Sequence, residues 1–215
     1  MLSLQLDIKT RRIVIAGGGK VATRKAALLI AAGASDITAI APSFVENFPP
    51  TIKRIVGAYT PAVLAGASLV FAATDRPEVN DAVVRDAHAI GALVNRADVD
   101  DELPGDFTLP AKVDFGDIRI TVSAGSAALS ASIREKLIQH FDPRWAGLAA
   151  AMKTLRPWIV SQSHLTAEER ATIFRELASD EAVEVSAGGV EMLVAWIRDR
   201  HEKLLVPSPG IPGEG

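Results

Sequence analysis

The sequence contains no cysteine among its 215 residues. That absence excludes disulfide staples, thiolate zinc sites and cysteine nucleophiles together. Aromatic residues are scarce, at 5%. The core therefore has to be filled by Ala, Val, Ile and Leu, which suit a parallel sheet covered by helices. The formal net charge is −3 and no long basic run exists, so a nucleic-acid or membrane-surface role has no electrostatic support. No stretch reaches the roughly 18 consecutive apolar residues of a membrane-spanning helix. The opening MLSLQLDIKTRR lacks the apolar core of a signal peptide. The expectation is a cytoplasmic protein that binds neither nucleic acid nor membrane. Apolar residues make up 48%, enough to core one domain of ordinary size and a smaller one.

What is present is an alternation of short apolar runs and helical stretches. Residues 12–16 (RIVIA) read as a buried strand, 21–32 as a helix closed by Gly33, and 37–41 (ITAIA) as a second strand ended by Pro42. Further strands are predicted at 52–58, 68–73 and 93–95, a helical turn at 61–66, and a helix at 77–90 capped by Asp75 or Arg76. This alternation predicts a parallel sheet of right-handed βαβ units, a Rossmann-type α/β domain. The character changes beyond residue 97. Residues 98–106 (DVDDELPGD) are acidic and turn-rich, and 111–113 and 118–122 read as strands joined across Gly116. The second of these alternates in polarity, as an antiparallel strand with one wet face does. Helices are predicted at 129–140, from Pro143 onward, after the Thr166/Glu169 capping pattern, and from Gly188-Gly189 toward Leu205. The domain plan is a Rossmann-type sheet domain over 1–112, a small α+β dimerisation segment over 113–143, a helical domain over 144–205 and a disordered tail over 206–215.

The chemistry starts at Gly17-x-Gly19-x-x-Ala22, which stands directly between a strand and a helix. Gly17 permits the tight turn, Gly19 lets the backbone approach a pyrophosphate, and Ala22 allows close helix–strand packing. The N–H groups of Lys20, Val21 and Ala22 then face an anion at a helix N-terminus. The acidic ribose ligand expected after the second strand is missing, and Pro42-Ser43 stand there. Ser43 can donate to a ribose or to a 2′-phosphate, so the position does not choose between NAD and NADP. Thr74 and Asp75 end a later strand on the carboxyl edge of the sheet, where ligands bind in such folds. Asp75 is equally placed to cap the following helix.

Several segments converge on one family. GGGKVATRKAALLIAAGA (17–34), AATDRPEVN (72–80), LVNRAD (93–98), DFTLPA (106–111), ITVSAG (120–125) and SIREKL (132–137) resemble, in order and spacing, the precorrin-2 dehydrogenase / sirohydrochlorin ferrochelatase family, the N-terminal module of siroheme synthesis. The resemblance covers roughly residues 1–140 and is loose over the C-terminal helices. It implies NAD-dependent oxidation of precorrin-2 to sirohydrochlorin, in some members Fe(II) insertion by a lyase-type ferrochelatase step, and a homodimer intertwined through the middle segment. The alternative is a nucleotide-binding regulatory or scaffold protein that keeps the fold without catalysis. An unrelated NAD(P)-dependent oxidoreductase acting on a small substrate is a third reading.

The oxidation removes a hydride and a proton, so a base near the nicotinamide is useful. Asp98 follows a sheet strand close to Asn95 and aligns with the aspartate of the family's VN-x-x-D motif, which implies that Asp98 is the general base and that Asn95 lies at the cofactor. A loop turn-former is the plainer reading of Asp98. Arg96, inside that motif, can pair with Asp98 or with a substrate carboxylate. A tetrapyrrole rich in carboxylates calls for cations, and Arg24, Lys25 and Arg134 are the candidates. Lys112 and Lys136 are also possible, and all of them can equally serve a solvated face. The family's loop S-[ST]-G-G-x-S-P appears here as Ser123-Ala124-Gly125-Ser126-Ala127, two residues shorter. Ser123 and Ser126 remain substrate candidates. Ala124 removes a possible donor, which weighs against the chelatase step. The acids 100–102 and Asp106 match no metal motif, and no two histidines have metal-ligand spacing, so no metal site is expected.

Overall fold

The computed structural model describes residues 3–97 and 105–201. Two compact units divide the chain, Met1–Leu109 and Pro110–Gly215. The first opens with β1 (Arg12–Ala16), α1 (Lys20–Ala31), β2 (Asp36–Ala41) and β3 (Lys53–Val56). A 3-10 turn (Pro61–Leu64), β4 (Leu69–Ala72), α2 (Pro77–Ala89) and β5 (Leu93–Arg96) follow. The strands lie in the order β3-β2-β1-β4-β5, and every neighbouring pair is parallel. This is the Rossmann-type sheet that the alternating runs predict.

β1 sits at the centre because Ile13, Val14, Ile15 and Ala16 are wholly buried and apolar on both faces. On one face Ile13, Ile15, Ala39 and Phe71 pack with Ala22, Ala26 and Leu29 of α1. On the other, Val14, Ala16, Val70 and Ala72 pack with Val83, Val84 and Ala87 of α2. Each fully buried Val or Ile side chain contributes about 1.5–3 kcal/mol. The chain runs outward from β1 through β2 to β3 and returns to β4 on the other side of β1. That reversal opens a crevice at the carboxyl ends of β1 and β4, where ligands of open α/β sheets bind.

The segment after β5 is tied along that strand. The Asp106 N–H donates to the Val94 carbonyl at 2.7 Å, and the Asp106 carboxylate accepts the Val94 N–H at 2.8 Å. Gly105 is pressed so close that an added Cβ would lie 2.7 Å from the Arg96 nitrogen. Phe107 meets Phe71 edge-on, with ring centroids 5.7 Å apart. Asp106, predicted as part of a solvated acidic loop, is thus an anchor. The rest of that loop, 98–104, lies outside the described residues.

The second unit starts with antiparallel β6 (Ala111–Phe115) and β7 (Ile118–Val122), turning at Gly116 with φ +57°. Along β7, Ile118, Ile120 and Val122 are half-buried while Arg119 and Thr121 are exposed, matching the predicted wet face. α3 (Ala127–His140), α4 (Arg144–Ser161), α5 (Ala167–Glu176), α6 (Asp180–Ser186) and α7 (Val190–Arg200) follow. The Thr166/Glu169 capping box is present at α5. Leu148, Leu155, Ile159, Ile173, Leu177, Leu193 and Ile197 form the core of the helical part. Sequence periodicity misses α6 because seven residues are too few for an amphipathic repeat. Its local signal was Ser179, whose hydroxyl accepts the Ala182 N–H as an N-cap. Among the described residues no helix is long and apolar enough to cross a membrane. The predicted tail 206–215 lies outside them.

Candidate nucleotide site

The three glycines after β1 serve different ends. Gly17 has φ +136°, and a Cβ there would lie 2.3 Å from the Ala73 carbonyl oxygen. Its N–H donates to Ile40 at 2.9 Å, while Ala73 donates to Ala16 at 2.8 Å, so the carboxyl ends of β1, β2 and β4 meet at this turn. A Cβ on Gly18 would lie 2.2 Å from the Ser43 carbonyl oxygen. This demand went unseen in the sequence, because the two-glycine pattern treats Gly18 as variable. A Cβ on Gly19 would meet no atom within 4 Å. The space beside Gly19 is open.

Gly19 is also the N-cap of α1, and it supplies no side-chain acceptor. No acidic residue stands in the first turn. Lys20 and Val21 are exposed at the helix start, while Ala22 is fully buried against the sheet. The first N–H groups of a helix lack intrahelical partners and carry a partial positive charge of roughly 0.5. With a bare glycine before them and no competing carboxylate, they fit a dinucleotide pyrophosphate.

The crevice rims are set by short contacts. Pro42 and Ser43 are exposed after β2. After β4, the Thr74 hydroxyl lies 2.8 Å from Asn80 Oδ1, the Thr74 N–H donates to the same oxygen at 3.1 Å, and Asn80 Nδ2 donates back to the Thr74 carbonyl at 3.2 Å. Asn80 is wholly buried. It fixes the Thr74-Asp75 turn, a role the sequence reading did not assign. Asp75 stays exposed. The N-cap of α2 is Arg76, whose N–H is accepted by the Thr74 hydroxyl at 3.2 Å. Of the two readings of Asp75, capping is thus not the one its side chain takes.

Asn95 is 3% exposed near the carboxyl end of β5. Its Nδ2 donates to the Phe107 carbonyl at 2.7 Å, and its Oδ1 is enclosed without a partner. Arg96, inside the same motif, places its Nη1 2.5 Å from the Asp81 carboxylate of α2. Of the cations, Arg24 is exposed and Lys25 half-buried on α1. Burial, followed by the neighbouring Arg24 charge, holds the Lys25 ammonium below the usual lysine pKa. Asp98, the candidate base, lies outside the described residues.

The remaining candidates belong to the second unit. Ser126 is engaged as the N-cap of α3, accepting the Leu129 N–H at 3.1 Å. Ser123 is exposed. The Ser123–Ser126 loop is held by Ser130, whose buried hydroxyl accepts the Ala124 N–H at 2.9 Å; the sequence reading passed over it. Arg134 pairs with Glu135 of its own helix, and Lys112 lies 3.5 Å from Asp114. His88 bonds Asp106 at 3.0 Å and His201 bonds Glu176 at 3.1 Å. Among the described residues no group of three His, Asp or Glu side chains could hold a metal ion.

A family model described as putative NAD(P)-binding matches residues 4–111. The siroheme synthase of Chromobacterium violaceum is 40% identical over 139 residues, covering 61% of this chain and 29% of that protein. Siroheme synthase 1 of Aeromonas salmonicida is 30% identical over 223 residues, covering 96% of this chain and 47% of the relative. The chain therefore spans less than half the length of these curated relatives. A solved structure described as SirC, precorrin-2 dehydrogenase, superimposes with a TM-score of 0.75 over 93% of this chain and all of that one, at 21% identity; it shows a shared fold. The chain belongs to the family described as putative NAD(P)-binding.

Proposed function

We propose that the protein is an NAD-dependent dehydrogenase that oxidises precorrin-2 to sirohydrochlorin. The observation that carries this reading is the open space beside Gly19 at the uncapped start of α1. It lies at the switch point of a sheet whose relatives are siroheme synthases. NAD, when bound, supplies the hydride acceptor. The N–H groups of Lys20, Val21 and Ala22 hold the pyrophosphate, and Pro42, Ser43, Thr74 and Asp75 line the rims. The enclosed, unpaired Oδ1 of Asn95 offers an acceptor for an amide N–H of the cofactor.

Asp98 takes the proton that leaves precorrin-2 as the hydride departs, so two electrons and one proton are accounted for. Arg24, Lys25 and Arg134 meet substrate carboxylates, and Ser123 and Ser126 border the same substrate. Lys25 suits that task because its ammonium is partly desolvated and has no carboxylate partner among the described residues. The reading includes a cytoplasmic setting and a homodimer. The dimer is supported by α3, which buries only Ser130 and leaves Leu129 and Ile138 exposed.

The test is to mix purified protein with precorrin-2 and NAD without oxygen and follow the absorption change. Appearance of the sirohydrochlorin spectrum is expected. An unchanged spectrum with NAD still bound by calorimetry favours the nucleotide-binding, non-catalytic reading instead. Adding Fe(II) afterwards tests metal insertion as a separate step.

A further inference from the structure

We propose that the adenosine end of the nucleotide site admits a 2′-phosphate, so that the protein takes NADP as well as NAD, with Arg54 as the cation that meets the phosphate. This rests on the dinucleotide reading of the first unit and names the specificity of that same site.

The rim beyond β2 is fixed against the glycine turn. The Val45 N–H donates to the Gly18 carbonyl at 3.0 Å. A Cβ on Gly18 would lie 2.2 Å from the Ser43 carbonyl oxygen and 3.0 Å from the Phe44 ring. Residues 43–45 therefore hold one position beside the turn that receives the pyrophosphate. In sheets of this kind a carboxylate after the second strand bonds the ribose 2′-hydroxyl, and it repels a phosphate on that oxygen. Here Pro42 and Ser43 stand exposed in its place. Glu46, further along the loop, is exposed and forms no ion pair among the described residues.

Arg54 lies next to this rim. It stands on β3, opposite Ala39 of β2, and the Gly57 N–H carries the pairing to the end of β2 by donating to Ala41 at 2.9 Å. The Arg54 guanidinium carbon is 5.8 Å from the Phe44 ring centroid and 5.5 Å from that of Phe48. Its Nη2 donates to the Phe48 carbonyl at 2.6 Å. Two rings and one carbonyl thus hold the fork, while the residue stays exposed. No carboxylate pairs with it among the described residues.

An oriented guanidinium without a carboxylate partner matches the oxygens of a phosphate. An arginine near the end of the second strand is the group that accommodates a 2′-phosphate in dinucleotide sites. The exposed Ser43 hydroxyl, which makes no hydrogen bond among the described residues, adds a neutral donor in place of a repelling charge. The phosphate sits at the end of the dinucleotide remote from the nicotinamide. Hydride transfer and proton removal are therefore the same step with either cofactor.

The test is calorimetry on the whole chain with NAD and NADP, and with adenosine 2′,5′-bisphosphate against adenosine 5′-monophosphate. NADP is expected to bind within about threefold of NAD, and the bisphosphate more tightly than the monophosphate. Arg54→Met is expected to lower NADP affinity relative to NAD by roughly tenfold or more, the weight of one charge-assisted pair, and Arg54→Lys to lower it less. Ser43→Asp, which restores a carboxylate to the rim, is expected to lower the same ratio. NAD binding with NADP about 50-fold weaker or more, or a ratio unchanged in Arg54→Met, overturns the proposal and leaves the dinucleotide reading standing. Equal losses of both affinities in Arg54→Met make Arg54 a support of the loop and also overturn it. Binding of neither dinucleotide by the unaltered protein overturns both readings.

Discussion

Gly18 and Gly19 are adjacent, yet they answer to different constraints. A methyl group on Gly18 would fall 2.2 Å from a backbone oxygen of Ser43, so the turn must shift to admit it. Gly18→Ala is expected to destabilise the protein by about 1–3 kcal/mol, the usual range for overpacking, read as a lower midpoint in urea. Gly19 has a negative φ of −87° and open space where its Cβ would go. Gly19→Ala should therefore leave the midpoint within about 1 kcal/mol of wild type, in line with the small cost of an unstrained substitution, while NAD affinity falls at least tenfold. Loss of stability without loss of affinity would contradict the assignment of that space to the cofactor. At Asp98 the expectation is opposite in kind. Asp98→Ala should reduce turnover by roughly 100-fold or more, the usual weight of a general base, with NAD affinity by calorimetry unchanged. Near-normal turnover would remove Asp98 from the chemistry.

At the scale of elements, β5 and the residues beside it carry a structural prediction. The Asp106 carboxylate holds the Val94 N–H and His88. Asp106→Ala leaves a buried N–H without its partner, at a cost of about 1–3 kcal/mol, and Asp106→Asn, which keeps one acceptor, should recover part of it. Thermal melts of the two variants distinguish these outcomes. A melting temperature of Asp106→Ala equal to that of the unaltered protein would mean that the carboxylate is not an anchor. The sheet strands and their helices were legible in the sequence because each is an unbroken apolar run or a helical repeat bounded by Gly, Pro or a cap. RIVIA and ITAIA show this directly, and IRITV shows instead the period-two alternation of a strand with one wet face. The glycine turn was legible for the same reason: it must sit between a strand and a helix. The contacts of Asp106, Asn80 and Ser130 were not. Each side chain bonds a backbone group brought near by the fold, and Asp106 in particular reads in sequence as one more acid in an acidic run. The Arg96 contact with Asp81 was equally hidden, since Asp81 lies 15 residues earlier on another element.

On the scale of the whole molecule, α3 of the second unit buries Ser130 alone. α3 shows Leu129 at 51% and Ile138 at 42% exposure, while β6 and β7 carry no fully buried residue. A homodimer through this part of the chain is expected in sedimentation equilibrium, and Leu129→Glu with Ile138→Glu should shift it to monomer. A monomer at all concentrations in the unaltered protein would remove the dimer from the proposal. The nucleotide reading concerns the first unit, and the substrate reading concerns what both units do in one reaction. Counting the NADH formed against the sirohydrochlorin formed, in one anaerobic mixture of protein, NAD and precorrin-2, tests them together. Equal amounts of the two products are expected; sirohydrochlorin appearing without NADH, or neither appearing while NAD remains bound, would contradict the proposed dehydrogenase.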